Sequence, residues 1–158
     1  SLAAQAKTIM VLGDSISAAY GIDVGQGWVK LVQRKLDAEH SNYTIINESI
    51  TGDTTAGGLA RLADALSSHK PEIVMVELGA KDGLRGLSPA LIKTNLTEII
   101  LRSQQAGAKV LLISMRIPPN YGKRYTDTFY GIYPQLSKAL NVPYVPFILF
   151  LKCSKTQQ

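Results

Sequence analysis

Three short polar blocks in this chain hold the residue types that nucleophilic acyl chemistry requires. Gly13-Asp14-Ser15-Ile16-Ser17 follows the apolar run Thr8-Ile9-Met10-Val11-Leu12. A second block, Asn47-Glu48-Ser49-Ile50-Thr51-Gly52-Asp53-Thr54-Thr55, begins as the run Tyr43-Thr44-Ile45-Ile46 ends, and Gly79-Ala80-Lys81-Asp82-Gly83 follows Leu78. A hydroxyl nucleophile needs a base to take its proton and N–H donors for the oxyanion that forms. Ser15, where a strand turns toward a helix, is placed to expose its Oγ. The backbone N–H groups of Ser15 and Gly52 could face one developing charge, and glycine leaves room there for close approach. Taken singly the blocks are ordinary, since Gly-Asp-Ser is a common turn tripeptide.

The elements between the blocks supply the order. Apolar runs that suit buried strands occur at Thr8–Leu12, Tyr43–Asn47, Ile73–Leu78 and Val110–Met115, with a short fifth at Pro143–Pro146. Helical spacing links Trp28, Leu31, Val32 and Leu36, then Leu59, Leu62, Ala63 and Leu66, with Thr54 or Thr55 as N-cap of the second helix. Ser88-Pro89 reads as an N-cap followed by a first-position proline, ahead of Ile92, Leu96, Ile99 and Ile100. Phe129, Ile132, Tyr133, Leu136 and Leu140 mark a further helix. Such alternation implies a parallel sheet with right-handed crossovers and helices on both faces, its chemistry at the strand carboxyl ends. The three blocks stand at three of those ends.

Taken together and in this order, the blocks resemble the SGNH (GDSL-type) hydrolase superfamily, and within it the bacterial thioesterase, lysophospholipase and arylesterase group. The likeness runs from about Lys7 to Phe147 and includes Glu77-Leu78-Gly79, Asp82-Gly83-Leu84-Arg85-Gly86, Asn120-Tyr121-Gly122 and Arg124-Tyr125. It implies a flavodoxin-like three-layer α/β fold with five parallel strands. It also implies hydrolysis of small acyl or aryl esters and thioesters through an acyl-serine, without cofactor or metal. On that analogy Ser15 is the nucleophile, Gly52 supplies an oxyanion N–H, and the loop Gly83 to Leu87, with Leu84, shapes the acyl pocket.

Two departures from the family pattern bear on activity. Lys81 stands where the family has an asparagine that donates to the oxyanion. It either turns to solvent with loss of a donor, replaces the amide with its ammonium, or serves Ser15 as a neutral base. The family's Asp-x-x-His block beyond the fifth strand is also missing. His40 and His69 read as surface residues near helix ends, away from the strand carboxyl ends. The apolar run Ile148–Leu151 and the final residues to Gln158 stand in its place. A shortened or frame-altered gene and a natural variant that discarded its base both fit, and with either the final helix of the fold is expected to be missing. Impaired turnover is therefore expected, the alternative being a non-catalytic acyl- or lipid-binding module. The apolar run offers a surface for self-association.

Composition bounds the remainder. With 158 residues, 46% hydrophobic and 18% charged, residues 1–158 are expected to form one ordered domain. No run is long enough for a transmembrane helix. A formal charge of +5 invites a nucleic-acid partner, but the basic residues are scattered, with Arg34-Lys35 and Lys123-Arg124 the only adjacent pairs. After Asp127 the chain carries Lys138, Lys152 and Lys155 and no acidic side chain, so the excess belongs largely to the tail. Flavin or nucleotide binding lacks a phosphate-loop motif. Cys153 is the one cysteine, which excludes an intrachain disulfide. Small residues at Ser1–Ala6 read as a leader remnant or an expression scar; the first gives a periplasmic or secreted protein.

Overall fold

A computed structural model describes residues 7–14, 29, 33–34, 37–39 and 42–146. Five strands form in it: β1 (Lys7–Gly13), β2 (Tyr43–Asn47), β3 (Ile73–Glu77), β4 (Lys109–Ser114) and β5 (Tyr144–Pro146). All pair in parallel, in the order β2-β1-β3-β4-β5. This is the flavodoxin-like order, whose chain reverses direction across the sheet between β1 and β3 and leaves a crevice at their carboxyl ends. Central strands β1 and β3 are buried on both faces, which is why they read as unbroken apolar runs. Edge strand β2 is only half-buried.

Among the described residues after β2, the helices are α1 (Thr55–His69), α2 (Ala80–Leu84), α3 (Pro89–Gln105) and α4 (Lys123–Leu140). Helices α1, α3 and α4 pack side by side, in that order, over one face of the sheet. The crossover from β1 to β2 runs the other way, and right-handedness carries its helical residues to the opposite face. Of that segment Val29 is described and buried; Trp28, Leu31, Val32 and Leu36 lie outside the described residues.

Helix α3 shows how pattern becomes packing. Its buried residues Ile92, Asn95, Leu96, Ile99, Ile100 and Ser103 recur three and four apart and form one stripe. Its four fully buried aliphatics contribute about 1.5–3 kcal/mol each before ordering costs. Ser88 is the N-cap residue, yet its side chain makes no capping bond, so proline at the first position is what starts the helix. Thr54 does cap α1, accepting from the N–H of Gly57 at 3.1 Å.

Two elements have no counterpart in the periodicity, the five-residue α2 and a 3-10 turn at Pro119–Tyr121. Both are too short to show a period. Helix α2 packs so closely that its N-cap glycine and its internal glycine leave no room for a side chain. Gly79 has φ +120°, and a Cβ there would come within 2.3 Å of the Tyr133 hydroxyl. A Cβ on Gly83 would meet Ile117 at 2.6 Å.

Candidate active site

The carboxyl ends of β1 and β3 are joined by a side chain. Gly13 lies opposite Glu77 in the register, and the N–H of Asp14 donates to Glu77 Oε2 at 3.1 Å. The segment after β2 folds over the same place: Glu48 N–H donates to Val11 O at 2.9 Å and Ile50 N–H to Gly13 O at 3.1 Å. The first two polar blocks therefore meet at the strand crevice. Ser15 follows Asp14 in sequence and lies outside the described residues.

Gly52 occupies a tight turn closed by Asp53 N–H donating to Ile50 O at 3.1 Å. Its φ of +74° is the third-position conformation of a type II turn. No described atom lies within 4 Å of where its Cβ would be. Backbone conformation by itself calls for glycine here. The turn is exposed, and its N–H makes no hydrogen bond to the described residues.

The third block is tied to the second through Asp82. This fully buried carboxylate accepts from Thr55 N–H at 2.9 Å and from Thr55 Oγ1 at 2.6 Å. Asn95 Nδ2 donates to the same hydroxyl oxygen at 3.1 Å. Two N-terminal donors of α1, those of Thr55 and Gly57, are thereby satisfied from outside the helix ladder. Lys81, beside Asp82, is half-buried, and its ammonium has no hydrogen-bond or ion-pair partner among the described residues.

The loop from Gly83 to Leu87 closes α2 with a Schellman turn. Leu87 N–H donates to Asp82 O and Gly86 N–H to Gly83 O, both at 3.0 Å, with Gly86 at φ +65°. Leu84 is 45% exposed at its tip. Tyr121 Oη donates to Leu84 O at 2.5 Å and Tyr125 Oη to Leu87 O at 2.6 Å, so both ends of the loop hang from tyrosines. Beside these tyrosines an open groove of about 590 Å³ is lined by Pro89, Gly122, Lys123 and Arg124.

Three carboxylates, Asp14, Glu77 and Asp82, are buried around this point. Their consequence shows on Tyr133, whose phenol donates to Leu78 O at 2.9 Å. Burial, then the negative charges of Asp82, Glu77 and Asp14, hold its pKa well above the ordinary tyrosine value. Burial first and the Asp82 charge second also raise Tyr125.

Sequence reasoning overlooked Arg61. Its guanidinium donates to Asp53 Oδ2 at 2.8 Å, to Gly13 O at 3.3 Å and to Glu48 O. One side chain on α1 thus gathers the end of β1 and both flanks of the Gly52 turn. The available signal was a cation one residue before core Leu62, two turns below the Asp53 carboxylate. His69 also differs from expectation: it is half-buried, and Nε2 pairs with Glu48 Oε1. Asp37 and His40 stand at Asp-x-x-His spacing. Gln33, which holds Asp37 at 3.0 Å, also donates to Tyr43 O at 3.3 Å at the amino end of β2. That location is the wrong end of the sheet for an acyl-serine base, and His40 itself lies outside the described residues. Among the described residues no group of three His, Cys, Asp or Glu side chains could hold a metal, and no helix is long and apolar enough to cross a membrane.

Residues 11–158 match the model of the GDSL-like lipase/acylhydrolase family. The chain is 48% identical over 146 residues to esterase TesA of Pseudomonas aeruginosa, covering 92% of this chain and 73% of that protein. It is 43% identical over 147 residues to thioesterase 1/protease 1/lysophospholipase L1 of Escherichia coli K12, covering 93% of this chain and 69% of that one. Among solved structures it superposes on the psychrotrophic esterase EstA from a Pseudoalteromonas species, inhibited by monoethylphosphonate, with TM-score 0.85 and 46% identity. That match covers 89% of this chain and 76% of the other.

Proposed function

We propose that this chain, which belongs to the GDSL-like lipase/acylhydrolase family, is a serine ester and thioester hydrolase scaffold working through an acyl-Ser15 intermediate. The observation that supports this most directly is the junction of Gly13-Asp14, the Gly52 turn and the Asp82 block at the β1–β3 crevice. Ser15 Oγ attacks the carbonyl carbon as its proton passes to water, and the oxyanion is received by the N–H groups of Ser15 and Gly52. Collapse of the oxyanion expels the alcohol or thiol, which takes up a proton from water before a second water hydrolyses the acyl-serine. The loop carrying Gly83, Leu84 and Leu87 forms the acyl wall. Residues 1–158 act as one domain of this type.

Turnover by these 158 residues is proposed to be weak. The only histidines are His40 and His69, and His69 is engaged with Glu48. A serine hydrolase without its triad histidine keeps about 10³–10⁴ over water, from oxyanion hole and binding. Lys81 lowers the rate further where it replaces an amide donor, worth about 2.7–4 kcal/mol in comparable sites.

The test is hydrolysis of p-nitrophenyl and thioester substrates, with labelling by a fluorophosphonate probe, for the chain, Ser15→Ala and Lys81→Asn. Labelling that disappears in Ser15→Ala, slow turnover, and a faster Lys81→Asn variant with unchanged pH profile are expected. Labelling that survives Ser15→Ala refutes the nucleophile. Robust hydrolysis lost in Ser15→Ala refutes the impairment and requires another base. Acyl-ligand binding that survives Ser15→Ala, without any acyl-enzyme by mass spectrometry, favours the second reading, a non-catalytic acyl-binding module. The half-buried Lys81, without a partner among the described residues and standing where the family has its oxyanion asparagine, is what recommends that second reading.

A further inference from the structure

We propose that Tyr121 and Tyr125 are positioning residues for acyl-chain selectivity, a pair of phenols that hold the Gly83–Leu87 loop at both ends. The inference rests on the reading of that loop as the acyl wall. The Schellman turn at Gly86 sends the chain away from the axis of α2, so the carbonyls of Leu84 and Leu87 accept no further bond from the helix ladder. Both accept instead from tyrosines, at 2.5 Å and 2.6 Å. Leu84, Arg85 and Gly86 are exposed, and their turn is closed by backbone bonds from Arg85 N–H to Lys81 O, Gly86 N–H to Gly83 O and Leu87 N–H to Asp82 O. The turn's own backbone bonds set its local shape, and these two O–H donors tie that turn to the segment after β4.

The two phenols act as a unit because they are four residues apart at the start of α4. Their ring centroids are 6.1 Å apart with a 34° tilt. Tyr121 ends the 3-10 turn Pro119–Tyr121, just before α4, and Tyr125 lies in the first turn of α4. Pro118 and Pro119 and the φ of +89° at Gly122 set the path of this segment, so the hydroxyls arrive from a rigid element. The clamp bridges the connection after β3 to that after β4, across about one strand spacing of the sheet. A loop held at Leu84 and Leu87 presents its one large exposed apolar side chain, Leu84, in a fixed position. Contact with a distal part of an acyl chain would depend on that position; contact near the reacting carbonyl would not.

Removing only the hydroxyls tests this. Wild type, Tyr121→Phe, Tyr125→Phe and the double variant are titrated with hexanoate, octanoate, decanoate and dodecanoate below their micelle concentrations. Amide hydrogen exchange at residues 84–88 is followed in parallel. The expected result is faster exchange at 84–88 in the double variant, with affinity for dodecanoate reduced about two- to tenfold per hydroxyl and hexanoate affinity unchanged. A merely structural role would lower the unfolding midpoint and leave the dependence on chain length as it was. A wild type that discriminates by length and a double variant that keeps the same discrimination refute the clamp alone. Exchange that does not change at 84–88 refutes it as well. A wild type that binds no member of the series, with loop exchange still responding to the variants, refutes the acyl-wall reading and with it the selectivity role.

Discussion

Replacing Asp82 by alanine tests whether one buried carboxylate holds the second and third polar blocks in register. The carboxylate is fully buried and accepts two bonds from Thr55, at 2.9 Å from the N–H and 2.6 Å from the hydroxyl. Hydrogen bonds to a charged acceptor are worth about 1.5–3 kcal/mol each, and their loss leaves two buried donors without partners. Against this stands the desolvation cost of the carboxylate. The expected net loss is about 3–4 kcal/mol, or roughly 10 °C in Tm for a chain of this size. Asp82→Asn separates geometry from charge. Its Oδ1 still accepts from Thr55 N–H, but its amide meets a hydroxyl oxygen that already accepts from Asn95, and a loss of about 1–2 kcal/mol is expected. Urea unfolding of both variants by circular dichroism, with Thr55→Val completing a double-mutant cycle, measures the terms. An Asp82→Ala loss below about 1 kcal/mol, or an Asn variant as unstable as the Ala one, would sink the reasoning.

Two further perturbations follow from the same neighbourhood. Gly79→Ala forces a side chain into φ +120° and against the Tyr133 hydroxyl at 2.3 Å, with an expected cost of about 2–3 kcal/mol; an unchanged urea midpoint would count against it. Tyr133 ionises in the folded state only above its ordinary value, because of burial first and the three carboxylates second. The folded state therefore holds that proton more tightly than the unfolded one, whose tyrosines ionise near pH ~10. Below that pH the stabilisation is fully present, and it is lost as pH rises above it toward the folded pKa. Tyr133→Phe should lower stability by about 1 kcal/mol at neutral pH and flatten its decline in alkali. Unfolding curves from pH ~8 to ~11, with tyrosinate absorbance as the probe, decide this; an equally steep decline in the variant removes Tyr133 as the cause.

Much of the fold was legible because strands and helices announce themselves by local period. The four longer strands were anticipated within a residue or two, and Thr54 was recognised as a cap because capping is a relation between near neighbours. The three blocks in their order carried the resemblance to the family, and the lysine at position 81 was visible as a departure from its pattern. Tertiary structure decided what ties those blocks together. Asp82 reaches Thr55 across 27 residues, Arg61 reaches Gly13 across 48, and Tyr121 and Tyr125 reach the loop carbonyls across 37 and 38. No periodicity encodes such pairs, because each depends on which strand lies beside which, and that is settled by the β2-β1-β3-β4-β5 order. Even Gly52 needed the structure: its type was evident in the sequence, but only the tertiary structure shows its φ of +74°, a turn conformation that side chains rarely adopt.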